Sequence, residues 1–169
     1  MRIATVTATI IFALDQASKW GVVHGLNLIE RGVIEVAPPY LVFRMAWNRG
    51  VNFGLFANDA DAMRWVLIAV ALGISVWVWI WMRREGAGPA AQISAGLLIG
   101  GALGNVVDRV VYGAVADFLN MSCCGIENPY AFNVADISIF IGAAGLVLFS
   151  GKDEGPRRGK QVPPRRKTP

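Results

Sequence analysis

Histidine occurs once in this 169-residue chain, at His24, and cysteine twice, as the adjacent pair Cys123-Cys124. One histidine offers no partner set for zinc and no Ser-His-Asp arrangement, so metal and nucleophilic-serine chemistry are poorly supported. A bridge between neighbouring cysteines needs unusual geometry, and no disulfide framework follows; the pair reads as two small, semi-apolar loop residues. Charge is scarce as well. Only 17% of residues are charged against 54% hydrophobic, a balance that does not suit a soluble domain of this length. The net charge of +4 does not point to nucleic acid, because the basic residues gather in short connecting segments and the C-terminal tail. Nor is there an internal repeat of the kind that inverted-repeat transporters carry.

What the chain has instead is apolar runs. Arg2 precedes Ile3 to Leu14, and the run continues past Asp15-Gln16-Ala17-Ser18-Lys19 to Val23 with no small-x-small cleavage site. That is about 20 residues, enough to cross a ~30 Å hydrocarbon core as an uncleaved helix. A second span is expected over residues 65–82, bounded by Arg64 and Arg83-Arg84, with Trp65, Trp77, Trp79 and Trp81 as interfacial belts or as core. Pro89 opens a third, over 89–109, where Gly96, Gly100 and Gly104 recur every four residues and permit close helix approach. A fourth is expected over 133–150. Between the first two spans, Val33-Ile34-Glu35-Val36 and Tyr40 to Met45 are β-prone and separated by Ala37-Pro38-Pro39. The expected fold is therefore a mainly α membrane protein: four transmembrane helices with a small extracytoplasmic β-rich element between helices 1 and 2. Residues 1–150 form the membrane domain and 151–169 a disordered basic tail. Ten of the sixteen Lys and Arg then lie on the side of both termini, which the positive-inside rule makes cytoplasmic.

Polar residues interrupt this pattern in few places. Asp15 and Lys19 are four apart on one helix face and can pair, either as an interfacial ion pair or as part of a site. Asn105, Asp108 and Arg109 follow one another on a face at the end of the third span, and Asp108-Arg109 reads as a bracing pair. Asp117 is expected in the short loop beyond, and Asp136 in the first turn of the fourth helix. Asn133 and Asp136 also read as a helix cap, an alternative that capping alone would satisfy. Capping leaves unexplained why Asp108, Asp117 and Asp136 all come to one membrane face, where carboxylates are costly. Two carboxylates at one site can share a proton, one accepting from water while the other donates to a carbonyl. That is amide hydrolysis without a covalent intermediate. A small transporter, a proton-coupled channel and a noncatalytic assembly protein remain the rival readings of the same residues.

Five stretches carry a family resemblance. They are Asp15-Gln16-Ala17-Ser18-Lys19, Asn48-Arg49-Gly50-Val51-Asn52-Phe53-Gly54, Gly101-Ala102-Leu103-Gly104-Asn105-Val106-Val107-Asp108-Arg109, Val115-Ala116-Asp117-Phe118 and Phe132-Asn133-Val134-Ala135-Asp136. In this order they resemble the bacterial lipoprotein signal peptidases, signal peptidase II, from Ile11 to about Ser150. Asn52 departs from the small apolar residue usual there. The resemblance implies an aspartic endopeptidase of the inner membrane that cuts a prolipoprotein just before its diacylglyceryl-modified cysteine. It implies Asp117 and Asp136 as the catalytic pair. Asp15, Lys19, Asn48, Gly50, Gly101, Asn105, Asp108, Arg109 and Asn133 would line or brace the site. No cofactor or metal is implied; membrane lipid surrounds the enzyme, and globomycin is the expected inhibitor. The site is expected near the periplasmic face, covered by the stretch from Asn48 to Gly54.

Overall fold

A computed structural model describes residues 1–50 and 60–150. The first helix, α1 (Arg2–Lys19), widens into a π-helical turn over Trp20–Gly25. A single-turn helix α2 (Leu28–Arg31) leads into strands β1 (Val33–Ala37) and β2 (Leu41–Asn48). Then come α3 (Ala60–Glu85), α4 (Pro89–Tyr112), strand β3 (Val115–Asn120) and α5 (Val134–Phe149). The fold is mainly helical, as expected, and two helices, over Asp61–Glu85 and Pro89–Tyr112, are long and apolar enough to cross a membrane. α5 is a shorter apolar helix of 16 residues.

The β-rich element differs from expectation in one respect. Beyond the hairpin of β1 and β2 it recruits β3 from between α4 and α5, giving an antiparallel sheet in the order β1-β2-β3. Asp117 therefore lies on a strand and not in a loop. In the register, Asp117 faces Ala46, Ala116 faces Trp47 and Val115 faces Asn48. Because side chains alternate across a strand, Asp117 and Asn48 share one face of this ribbon while Ala116 and Trp47 share the other.

α4 is the hub. Proline at its first position suits a helix start, and Gly113, left-handed at φ 77°, closes its end by donating to Arg109 O at 3.1 Å. Its small residues serve two neighbours. A Cβ on Gly100 would lie 2.6 Å from Ala8 O of α1, and one on Gly101 would lie 2.5 Å from Ala135 O of α5. Both helices thus pack backbone to backbone against α4. Gly96 packs α1 in the same way. Gly104 instead leaves room for the carboxylate of Asp15, so of the repeated glycines this one makes space for the polar site.

Away from that site Val78, Met82, Ala95, Leu98, Ile99 and Leu146 form the apolar core of α3, α4 and α5. Among the tryptophans of α3, Trp65 and Trp77 are exposed, whereas Trp79 and Trp81 are half-buried and pack partly inward. Cys123 and Cys124 are free and exposed in the segment after β3. Val51 to Gly54, the rest of the expected site cover, and the tail from Gly151 lie outside the described residues.

Candidate active site

The buried end of α1 begins the site. Asp15 is fully buried and Lys19 nearly so, and they pair at 2.8 Å across one helical turn, as their spacing predicts. The other carboxylate oxygen of Asp15 accepts from Ala135 N of α5 at 3.0 Å, satisfying one of the four N–H groups a helix start leaves free. Lys19 reaches further. Its ammonium donates to Asn105 Oδ1 of α4 at 3.1 Å and forms an ion pair with Asp108 Oδ2 at 2.8 Å.

Asp108 is thus braced by Lys19 and not by Arg109, contrary to the sequence expectation. Helical neighbours at i and i+1 point about 100° apart, so Arg109 turns away from Asp108. Asp108 also accepts from Gln16 Nε2 at 3.1 Å and from Ala116 N at 3.2 Å, and the second bond fastens β3 to the end of α4. Gln16 was not foreseen as a site residue. Its amide donates to Asp15, Asp108 and Gly104 O, tying α1 to α4, and its only sequence signal was its position between Asp15 and Lys19.

Above this cluster Asp117 and Asp136 are joined through one side chain. Asn133 caps α5: its Oδ1 accepts from Asp136 N at 2.9 Å, while Asp136 Oδ2 accepts from Asn133 N at 3.2 Å. The cap leaves Asn133 Nδ2 pointing at Asp117 Oδ1, 2.7 Å away. Asn48 Nδ2 donates to Asp117 Oδ2 at 3.0 Å, and Asn105 Nδ2 donates to Asp136 Oδ1 at 2.9 Å. The orientation of each amide is fixed by a partner that can only donate: Asp136 N for Asn133, Gly50 N for Asn48 and Lys19 for Asn105. Gly50 turns the chain with φ 93°, and any Cβ there would strike Leu67 at 2.5 Å. Capping and site-building are therefore one arrangement.

Each of the four oxygens of Asp117 and Asp136 accepts one N–H, and among the described residues neither carboxylate has an ion-pair partner within 4.0 Å. Burial raises the Asp117 carboxyl, and the neighbouring charge of Asp136 raises it further. Hydrogen bonds from Asn48 and Asn133 and the more distant Lys19 oppose this, leaving it at about 7. Arg109 is half-buried with one amino group on Asn105 O at 3.3 Å and, among the described residues, no partner for its Nε. The arrangement can hold one proton on Asp117 at neutral pH and exchange a second through Asp136.

Known proteins match along most of this chain. A family described as Signal peptidase (SPase) II matches residues 7–151. The lipoprotein signal peptidase of Methylorubrum extorquens is 43% identical over 138 residues, covering 82% of this chain and 79% of its own. That of Methylobacterium sp. (strain 4-46) is 42% identical over 146 residues, covering 86% of both chains. Among solved structures, a bacterial membrane enzyme determined in meso at 2.3 Å superposes with a TM-score of 0.73 at 25% identity, covering 96% of this chain and 95% of its own.

Proposed function

The chain belongs to the signal peptidase II family and removes signal peptides from prolipoproteins, and from that premise we propose that Asp117 and Asp136 carry out the hydrolysis, making it an aspartic endopeptidase. The observation that carries this reading is the pair itself: two carboxylates bridged by Asn133, held by neutral amides, one of them raised to about 7. Such a pair has one proton to give and one vacancy to fill at neutral pH.

Asp136 stands in the first turn of α5, where a helix N-terminus stabilises an anion, and takes a proton from water as the water oxygen attacks the scissile carbonyl carbon. Asp117 delivers its proton to the carbonyl oxygen, so a neutral gem-diol forms. On collapse the C–N bond breaks, Asp136 passes its proton to the departing amine, and a gem-diol hydroxyl returns one to Asp117. Both carboxyls end as they began. The two protons belong to a coupled pair, and kinetics would report the pair's values.

In this reading α1, α3, α4 and α5 all cross the inner membrane, both termini are cytoplasmic, and the carboxylates lie near the periplasmic face. The placement of ten of the sixteen Lys and Arg supports that orientation. The substrate is then presented within the bilayer, cut just before its diacylglyceryl-modified cysteine, and globomycin blocks the site. A transporter or proton-coupled channel is not supported: the relatives are peptidases, and the acids of the site gather in one cluster.

The test is cleavage by the purified protein in proteoliposomes, with lipidated and unlipidated precursor side by side. Each buried CH₂ contributes about 0.8 kcal/mol to membrane residence, so two acyl chains hold the scissile bond at the depth of the site. Only binding that is stronger at the transition state speeds the chemistry. The unlipidated precursor should be cut very poorly; equal turnover of both would end the substrate assignment.

A further inference from the structure

A second cavity lies behind the β2–β3 ribbon, on the face opposite Asp117. It encloses about 220 Å³, and its walls are the rings of Trp20, His24, Trp47 and Tyr112. Trp47 and Tyr112 are 5.5 Å apart between centroids and His24 and Tyr112 6.4 Å, all tilted toward one another. Aromatic side chains that serve only as an interfacial belt spread outward into the headgroups. These, although exposed on their outer sides, line one space from the π-helical turn, from β2 and from the end of α4.

The floor of the cavity is ionic. Lys19 and Asp108 line it, and the same ammonium pairs with Asp15 beneath. Two carboxyl groups thus share one cation beneath the rings. The Lys19 ammonium is already engaged by three oxygens, hydrogen-bonded to Asp15 and Asn105 and ion-paired with Asp108. Arg109 donates to Asn105 O and does not line the cavity. Several ring faces over two carboxyl groups that share one cation form an environment that attracts an alkylammonium ion through cation–π and Coulomb terms together.

We propose that this cavity is a binding site for the alkylammonium group of a small ligand or lipid headgroup, on the opposite face of the β2–β3 ribbon from Asp117 and sharing the Lys19–Asp108 brace with the peptidase site. The site adjoins the catalytic pair through Lys19, whose partner Asn105 donates to Asp136, through Asp108, whose partner Ala116 precedes Asp117, and through Ala116 O, which accepts from Asn133. Its occupant is positioned to stiffen that brace and has no route to the scissile bond.

Saturation-transfer NMR on the detergent-solubilised full chain tests this with choline and its neutral isostere 3,3-dimethyl-1-butanol. Choline should bind at least tenfold more tightly, because only the charge differs. Equal binding would overturn the proposal. Trp20→Leu and Tyr112→Leu should each weaken choline at least fivefold, while Trp77→Leu, an exposed aromatic on α3, leaves it unchanged; the reverse pattern would also overturn it. Retained prolipoprotein cleavage shows that a variant is folded. In nanodiscs, preferential retention of phosphatidylcholine or phosphatidylethanolamine over phosphatidylglycerol identifies a lipid as the source of the ammonium. Binding of free choline without that preference identifies a soluble amine.

Discussion

Two pairs of aspartates sit side by side in this protein and are treated oppositely. Asp15 and Asp108 share the ammonium of Lys19 at 2.8 Å each; Ala135 N donates to the other oxygen of Asp15, and Ala116 N to the same oxygen of Asp108 that meets Lys19. Asp117 accepts from the side-chain amide of Asn133 and Asp136 from its backbone N–H, and among the described residues neither has a cation within ion-pairing distance. The difference lies in what compensates the charge. A carboxylate paired with an ammonium becomes a fastener, here tying α1 to α4 and α5. One held by amides beside another carboxylate can change its protonation state, which hydrolysis requires. The first pair builds the frame in which the second is kept uncomfortable.

The comparison breaks most completely if the amide-held pair is made unable to exchange protons. Asp117→Asn and Asp136→Asn should each lower prolipoprotein cleavage by about 10³-fold or more while the protein stays folded and inserted, since Asn preserves shape but cannot carry the proton. Near-native turnover by either variant would sink the assignment. Asp117→Asn carries a second expectation. A carboxyl raised to about 7 favours the fold most below its unfolded value near 4, and that contribution is lost as pH rises through 7. At pH 8 the wild type buries a charge that the variant lacks, so thermal melting of Asp117→Asn should be no lower than that of wild type.

Removing the shared cation is the corresponding attack on the frame. Lys19→Met leaves two buried carboxylates without compensation and should cost about 3–5 kcal/mol, read as a lowered Tm together with lost cleavage. An unchanged Tm would mean that the cluster is not the brace described above. Smaller is the pH effect on the working enzyme. With Asp117 as the acid, cleavage should fall about tenfold per pH unit above 7; a flat profile to pH 9 would transfer the acid role elsewhere. Asp108→Asn should act more mildly still, because Lys19 keeps Asp15 and Asn105. An amide can accept at one oxygen only, so one of the bonds from Gln16 and Ala116 is lost, about 1.5–3 kcal/mol, loosening the tie between α1, α4 and β3. Loss of activity at a normal Tm would instead promote Asp108 to the chemistry.

Much of this was legible in the residues themselves. The two long apolar helices, the proline that opens α4 and the capping box at Asn133 follow from local pattern, because hydrophobic runs and helix starts obey short-range rules. The hairpin of β1 and β2 follows from β-prone runs on either side of Pro38-Pro39. The Asp15–Lys19 pair follows from i, i+4 spacing. The polar residues of both clusters stood out because each is expensive in an apolar chain.

Partnership was not legible. Strand β3 forms because Val115–Asn120 finds β2 some seventy residues earlier in the chain, and six residues after a helix gave no local sign of it. Asp108 looked toward its neighbour Arg109, yet its cation comes from Lys19, brought close by the packing of α1 on the glycine face of α4. Gln16 carried no signal until Asp15 and Asp108 stood on either side of it. The sequence by itself determined which groups are costly enough to need a purpose, since burial penalties belong to residue types. Only the tertiary structure decided which carboxylates meet a cation and which meet an amide, because that depends on distances of a few ångströms between helices and strands far apart in the chain.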